Sequence, residues 1–166
     1  MNRSRPAAIS VAVIFLALPA HASADDQSVW DAYAHGHHSQ LNAAVDAYGA
    51  ASDRMSRTNL RKPRYVRATI AAGRRVRRTV GLVADGVRAE QPSTPPGVHA
   101  KGFLLKSLAA WRQAMAIDGD ALRAFYDRHF VRGNRLTRKS NAAFDRSDRF
   151  EARARALLRQ AGVALR

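Results

Sequence analysis

Apolar side chains recur at i, i+3 and i+4 spacing from residue 28 almost to the end of the chain, whereas alternation of apolar and polar residues persists for only a few positions. The pattern predicts an all-α protein. Four apolar stripes place helices at 28–55, 63–90, 97–131 and 135–161. Because these helices are similar in length and have short connections, we expect an antiparallel up-down four-helix bundle.

Helix ends are predicted by capping and helix-breaking residues. The segment SVWD beginning at Ser28 resembles a capping box, and Pro63 suits the first turn of a second helix. The segment QPSTPPG at Gln91–Gly97 separates the second helix from the third. The DGD triplet at 118–120 interrupts the third stripe and leaves open whether that helix is split. Gly133–Asn134 predicts a stop and a new cap.

The first 24 residues have the features of a secretory signal peptide. Arg3 and Arg5 precede an apolar run over 7–20, and Ala22-Ser23-Ala24 forms a small-residue cleavage site. The run is about 14 residues, shorter than the roughly 20 that span a bilayer, and no later stretch is long and apolar enough to do so. We therefore expect cleavage after Ala24 and a single mature domain over 25–166, in the periplasm or secreted.

Charge and cysteine content narrow the function classes. The chain has no cysteine, which excludes thiolate metal sites and thiol catalysis. It has 28 basic and 13 acidic residues; removing Arg3 and Arg5 leaves 26 against 13, a net charge of +13 with neutral histidines. The expected partners are an anionic envelope polymer, a lipid surface or an envelope protein, with nucleic acid less expected after export. The alternative explanation for the basic charge is a GC-rich genome, whose codons favour arginine.

The most distinctive charge pattern lies at the start of the second helix. Nine basic residues and no acidic one occur between Arg57 and Arg78. At 100° per residue, five arginines occupy an arc of roughly 100° opposite the valine stripe. This arginine ridge, the predicted anion-binding site, consists of Arg64, Arg67, Arg74, Arg75 and Arg78.

A histidine cluster provides a second hypothesis. His35, His37 and His38 lie in the first helix, and in an up-down bundle His99 of the third helix would approach them. With His37 and His38 directed inward, His37, His38 and His99 could bind a transition metal such as zinc or copper. The alternative is a structural His37 with His35 and His38 exposed, and no cofactor.

No motif of an enzyme family is present: the sequence lacks GxSxG, HExxH, paired glutamates and a glycine-rich phosphate loop. We therefore expect an exported, non-enzymatic helical bundle that binds an anionic partner through the arginine ridge. A metal- or cofactor-binding bundle is the alternative.

Overall fold

The computed structural model describes residues 24–58 and 62–165, and within these ranges every regular element is helical. The helices are α1 (Ala24–Ala34), α2 (His38–Ser56), α3 (Pro63–Ala89), α4 (Pro95–Tyr126) and α5 (Phe130–Gln160). The four long helices pack together, and the short α1 packs on α3 and α4. The all-α prediction is confirmed. The predicted signal peptide lies outside the described residues, apart from Ala24, and remains a prediction.

The predicted first helix is broken in its middle. The carbonyl of Asp31 accepts both the His35 amide at 2.8 Å and the Gly36 amide at 3.0 Å, so helical hydrogen bonding stops there. A Cβ at Gly36 would lie 2.7 Å from the Ala32 carbonyl oxygen, which only glycine avoids. The continuous helix over 28–55 was therefore a wrong expectation, and α2 begins at His38.

A buried carboxylate of α1 forms hydrogen bonds with the connection between α3 and α4. Asp26 is fully buried and accepts the Ser93 amide at 3.0 Å, the Thr94 amide at 3.3 Å and the Thr94 hydroxyl. The Thr94 hydroxyl in turn accepts the Gly97 amide at 3.1 Å and caps α4. Helix α4 begins at Pro95, inside the proline-rich segment, and not at residue 97 as expected; the attachment of this segment to Asp26 was not foreseen.

The boundary between the last two helices also differs from expectation. Helix α4 continues without a break through Asp118–Asp120 and ends at Tyr126, and α5 begins at Phe130. Gly133 is not a stop but an interior position of α5, where a Cβ would overlap the ring of Phe125. The chain turns instead at Arg128, whose φ is 62°.

Helices α4 and α5 form the most extensive helix pair and run antiparallel. The Ser147 hydroxyl lies 2.9 Å from the Ser107 hydroxyl, and the Ser140 hydroxyl donates to the Ala114 carbonyl at 3.0 Å. Small residues at this contact let the two backbones approach. The main core lies between α1, α3, α4 and the end of α5, where its fully buried large side chains include Val29, Val80, Val83, Val87, Leu104, Leu108 and Leu158.

Helix α1 is held on the bundle by aromatic and polar contacts. The Tyr33 hydroxyl donates to Glu151 at 2.6 Å, and the guanidinium of Arg155 lies 4.8 Å from the centre of the Trp30 ring. Burial and the Glu151 contact raise the pKa of Tyr33 above its ordinary range. Of the helices in the described ranges, none has the length and apolarity to cross a membrane.

Candidate functional site

The arginine ridge lies on the outer face of α3. The helix begins with Pro63 at its N-terminus, and its apolar stripe, which includes Val76, Val80, Val83 and Val87, is buried in the core. Because this stripe fixes the rotation of the helix, the opposite arc faces solvent. All members of the predicted site are exposed: Arg64, Arg67, Arg74, Arg75 and Arg78.

Within residues 24–58 and 62–165, no carboxylate pairs directly with a ridge arginine. The salt bridges among the described residues are Arg88–Asp85, Arg123–Asp120 and Arg155–Glu151, and none includes a ridge arginine. The guanidinium groups therefore keep donors for an external anion, and a planar fork of N–H groups suits bidentate contact with phosphate or carboxylate.

The N-terminal end of the ridge carries an aromatic residue, Tyr65. Arg64 Nη2 donates to the Tyr65 hydroxyl at 3.0 Å, and its guanidinium lies 4.8 Å from the centre of the Tyr65 ring. The hydrogen bond from Arg64, followed by its charge, lowers the pKa of the half-buried Tyr65. Lys62 approaches the same ring at 5.9 Å, so positive charge converges on this first turn of α3.

One flank of the ridge faces α4 across a cleft of about 190 Å³. Arg74 and Arg77 line it from α3, and Asp118 and Asp120 line it from α4. Asp120 pairs with Arg123 at 3.1 Å, and Asp118 accepts the hydroxyl of Tyr48. The cleft thus offers both donors and acceptors, and it is the least purely cationic part of the ridge.

Two of these cleft residues were not predicted to contribute to a site. Arg77 falls outside the 100° arc and was left out, although it is exposed and borders the cleft. Tyr48 lies within the predicted helix over 28–55, and its hydroxyl donates to Asp118; burial together with this contact raises its pKa. The DGD triplet at 118–120 gave no clear signal of this cleft, because side chains at i and i+2 of a helix do not face each other.

The other flank of the ridge meets α2. Arg75, Arg78 and Leu82 of α3 share a shallow groove with residues 40–47 of α2. The α2 residues that line the groove are Gln40 and three alanines, Ala43, Ala44 and Ala47, and the nearby Asp46 is not among them.

The histidines occupy the break between α1 and α2. The rings of His35 and His38 are 6.5 Å apart, and His38 Nε2 lies 2.9 Å from the Asn42 amide nitrogen. Both side chains are exposed, and His37 is half-buried. The metal hypothesis needs His38 directed inward, whereas His38 is exposed at the break that Gly36 makes between α1 and α2.

His99 lies at another level of the bundle. His38 lines a cleft with Leu108 and Trp111 of α4. His99 precedes Leu108 by nine positions on the same helix, which is about 13 Å along its axis at 1.5 Å per residue. Within residues 24–58 and 62–165 no group of three or more His, Cys, Asp or Glu side chains is arranged to hold a metal ion.

The cleft beside His38 is a second concave surface, of about 370 Å³. Trp30, Tyr33, Leu108 and Trp111 form its aromatic and apolar wall. Among the residues that the structure describes, the buried indole N–H of Trp30 has no hydrogen-bond partner. The helical periodicity of these aromatic residues gave no separate signal of a cleft.

Comparisons with known proteins give no relative. No protein family, curated protein or solved structure matches the chain.

Proposed function

We propose that this protein is an exported, non-enzymatic helical bundle that binds an anionic component of the cell envelope through the arginine ridge of α3. The observation that carries the proposal is the set of exposed ridge arginines without a salt-bridge partner among the described residues. Repulsion between neighbouring guanidinium groups disfavours such a face in isolation, and an anionic ligand relieves that repulsion.

Export supports the choice of partner. The signal-peptide features of residues 1–24 direct the protein to the envelope, where polyanionic polymers and lipid surfaces are abundant. An envelope protein with an acidic face fits the same chemistry. Nucleic acid is the less favoured partner, because it is not the usual polyanion of that compartment.

The mechanism is electrostatic capture. Guanidinium groups spaced along α3 contact successive phosphates or carboxylates and displace their counterions, so affinity falls steeply with salt. A ridge from Arg64 to Arg78 extends about 21 Å at 1.5 Å per residue, which suits an extended polymer or a surface better than a small molecule.

The test is retention on a heparin column across a salt series. Charge reversal of Arg67, Arg74 and Arg78 to glutamate should lower the eluting salt concentration strongly. The matched control reverses three exposed arginines of α5, Arg149, Arg153 and Arg159, and so makes the same change in net charge. Equal losses in both variants mean that retention follows net charge, and the ridge is then not the site.

The metal-binding alternative is a proposal with weaker support, because His99 is separated from His37 and His38 along the bundle axis. Elemental analysis of the protein purified from metal-replete medium tests it directly. A stoichiometric content of zinc or copper that is lost in His38→Ala would favour the alternative.

A further inference from the structure

The turn between α4 and α5 exposes several large apolar side chains close together in the chain, which the rest of the described surface does not. Large hydrophobic residues with substantial exposure within the described residues are Val45, Leu82, Val98, Tyr126, Phe130 and Val131. Three of these lie within six positions of the turn, and Val131 is 85% exposed and Phe130 57%. We call residues 126–132 the apolar tip.

Positive charge surrounds the apolar tip. Residues 127–139 contain five basic side chains and one acidic one, Asp127. Arg128, Arg132 and Arg135 border Phe130 and Val131 around an open groove, and none of these arginines forms a salt bridge within the described part of the chain.

More positive charge lies at the same end of the bundle. Ile70 of α3 and Leu122 of α4 share a cleft, so the first turns of α3 lie at the level where α4 ends. The first turns of α3 carry Lys62, Arg64 and Arg67, all exposed. The opposite end holds the carboxylates of Asp25 and Asp26 and the loop that contains Glu90. Charge is therefore distributed unevenly along the long axis.

The backbone of the tip favours glycine but contains arginine. Arg128 has a φ of 62°, in the left-handed region that L side chains adopt at a cost. Its amide donates to the Phe125 carbonyl at 3.0 Å, and the His129 amide donates to the Ala124 carbonyl at 2.7 Å, which is the Schellman arrangement usually completed by glycine. An exposed arginine at a strained position indicates a use other than folding.

We propose that the apolar tip docks end-on on an anionic phospholipid bilayer. Phe130 and Val131 enter the interfacial region, and Arg128, Arg132 and Arg135 contact headgroup phosphates. A soluble polyanion would satisfy the arginines but offers no apolar phase, whereas a bilayer surface supplies both. The inference rests on the proposed function for the anionic nature of the partner, and it adds a separate surface and a specific lipid target.

The experiment is co-sedimentation of the purified protein with vesicles. Vesicles of phosphatidylethanolamine and phosphatidylglycerol should bind the protein, and vesicles of phosphatidylcholine should not. The variant Phe130→Ser/Val131→Ser should bind the anionic vesicles about tenfold more weakly, because two apolar contacts with the bilayer are lost. Its heparin retention should not change. Val98→Ser is the control, since Val98 is 53% exposed at the opposite end.

A second variant separates docking from folding. Arg128→Gly should relieve the backbone strain and unfold at a higher temperature, yet bind anionic vesicles about threefold more weakly through loss of one phosphate contact. Lower binding in a more stable protein cannot result from misfolding. Unchanged binding in both tip variants overturns the proposal.

The two proposals fail separately. Binding to heparin without binding to anionic vesicles overturns docking by the tip and leaves the arginine ridge in place. Loss of vesicle binding in the tip variant supports docking by the tip. Unchanged heparin retention after charge reversal on the ridge contradicts anion binding by the ridge, and it leaves the result for the tip in place. Equal loss of vesicle binding in Val98→Ser also contradicts docking by the tip.

Discussion

Arg128 and Gly162 occupy the same position at the ends of α4 and α5. Each is the left-handed residue that follows its helix, with φ of 62° and 80°. After α5 the Val163 amide donates to the Leu158 carbonyl at 2.9 Å, as the His129 amide donates to Ala124 after α4. The chain therefore makes two Schellman endings, one with the residue that this geometry favours and one without it.

This comparison predicts opposite effects of substitution. Arg128→Gly should raise the free energy of unfolding by about 1 kcal/mol. A left-handed conformation costs a non-glycine residue roughly 1–2 kcal/mol, and the greater entropy of glycine in the unfolded chain offsets part of the gain from removing that cost. Gly162→Ala should lower it by a similar amount. Urea denaturation followed by circular dichroism measures both. A loss of stability in Arg128→Gly would mean that the Arg128 side chain has a stabilising contact.

Gly97 should be intolerant of any side chain. A Cβ there would overlap the carboxylate of Asp26, which accepts the amides of Ser93 and Thr94. Gly97→Ala should therefore cost about 2–3 kcal/mol, through overpacking and through displacement of a buried hydrogen-bonded carboxylate. Thermal denaturation measures the loss.

Gly102 is the matched control on the same helix. A Cβ at Gly102 meets no atom within 4 Å, and the position is inside α4. Gly102→Ala should therefore stabilise the protein by up to about 1 kcal/mol through helix propensity. Similar behaviour of the two variants would contradict the contact between Gly97 and Asp26.

The buried tyrosines should make the protein less stable at alkaline pH. Burial raises the pKa values of Tyr33 and Tyr48 in the folded protein, and hydrogen bonds to Glu151 and Asp118 add to the shift. An unfolded tyrosine titrates near pH 10, so the stability that the folded pKa values provide is fully present below about pH 10 and is lost as the pH rises above it.

The measurement is the urea midpoint between pH 8 and pH 11. The variant Tyr33→Phe/Tyr48→Phe should lose less stability over this range than the wild type, whereas Tyr126→Phe, an exposed position, should follow the wild type. Equal slopes in the double variant and the wild type would contradict a raised pKa for these tyrosines.

The helix faces were predictable from the sequence, because burial of a continuous valine stripe requires one rotation of α3. That rotation places the ridge arginines in solvent, as the periodicity predicted. The helix ends were less predictable. Gly133 was expected to end a helix because glycine favours left-handed backbone, but here it makes room for the ring of Phe125. The turn falls at Arg128, a residue type that gives no sequence signal for it.

The sites depended on axial position, which periodicity does not determine. His99 was grouped with His37 and His38 because both helices start at the same end, but the positions lie at different distances from those starts. The apolar tip was missed for a related reason. Phe130 and Val131 were assigned to the end of a helix over 97–131, so two apolar residues flanked by arginines did not stand out as an exposed turn.

The serines between α4 and α5 should be energetically coupled. Ser147 Oγ donates to the Ser107 carbonyl at 3.0 Å and lies 2.9 Å from Ser107 Oγ, and both side chains are buried. Removal of one hydroxyl leaves the other with fewer partners away from water, so each single alanine variant should cost about 1–2 kcal/mol. The double variant should cost about 1 kcal/mol less than the sum of the singles.

A second serine on α5 provides the reference for this coupling. Ser140 donates to the Ala114 carbonyl at 3.0 Å, and it lies seven positions, about 10 Å, from Ser147 along the helix. Ser107→Ala and Ser140→Ala should therefore be additive within about 0.5 kcal/mol. Urea denaturation of the two cycles gives both coupling energies. The coupling energy of Ser107 with Ser147 should exceed that of Ser107 with Ser140. Equal coupling energies would show that the buried hydroxyls act independently, and that close approach of the small residues alone holds α4 on α5.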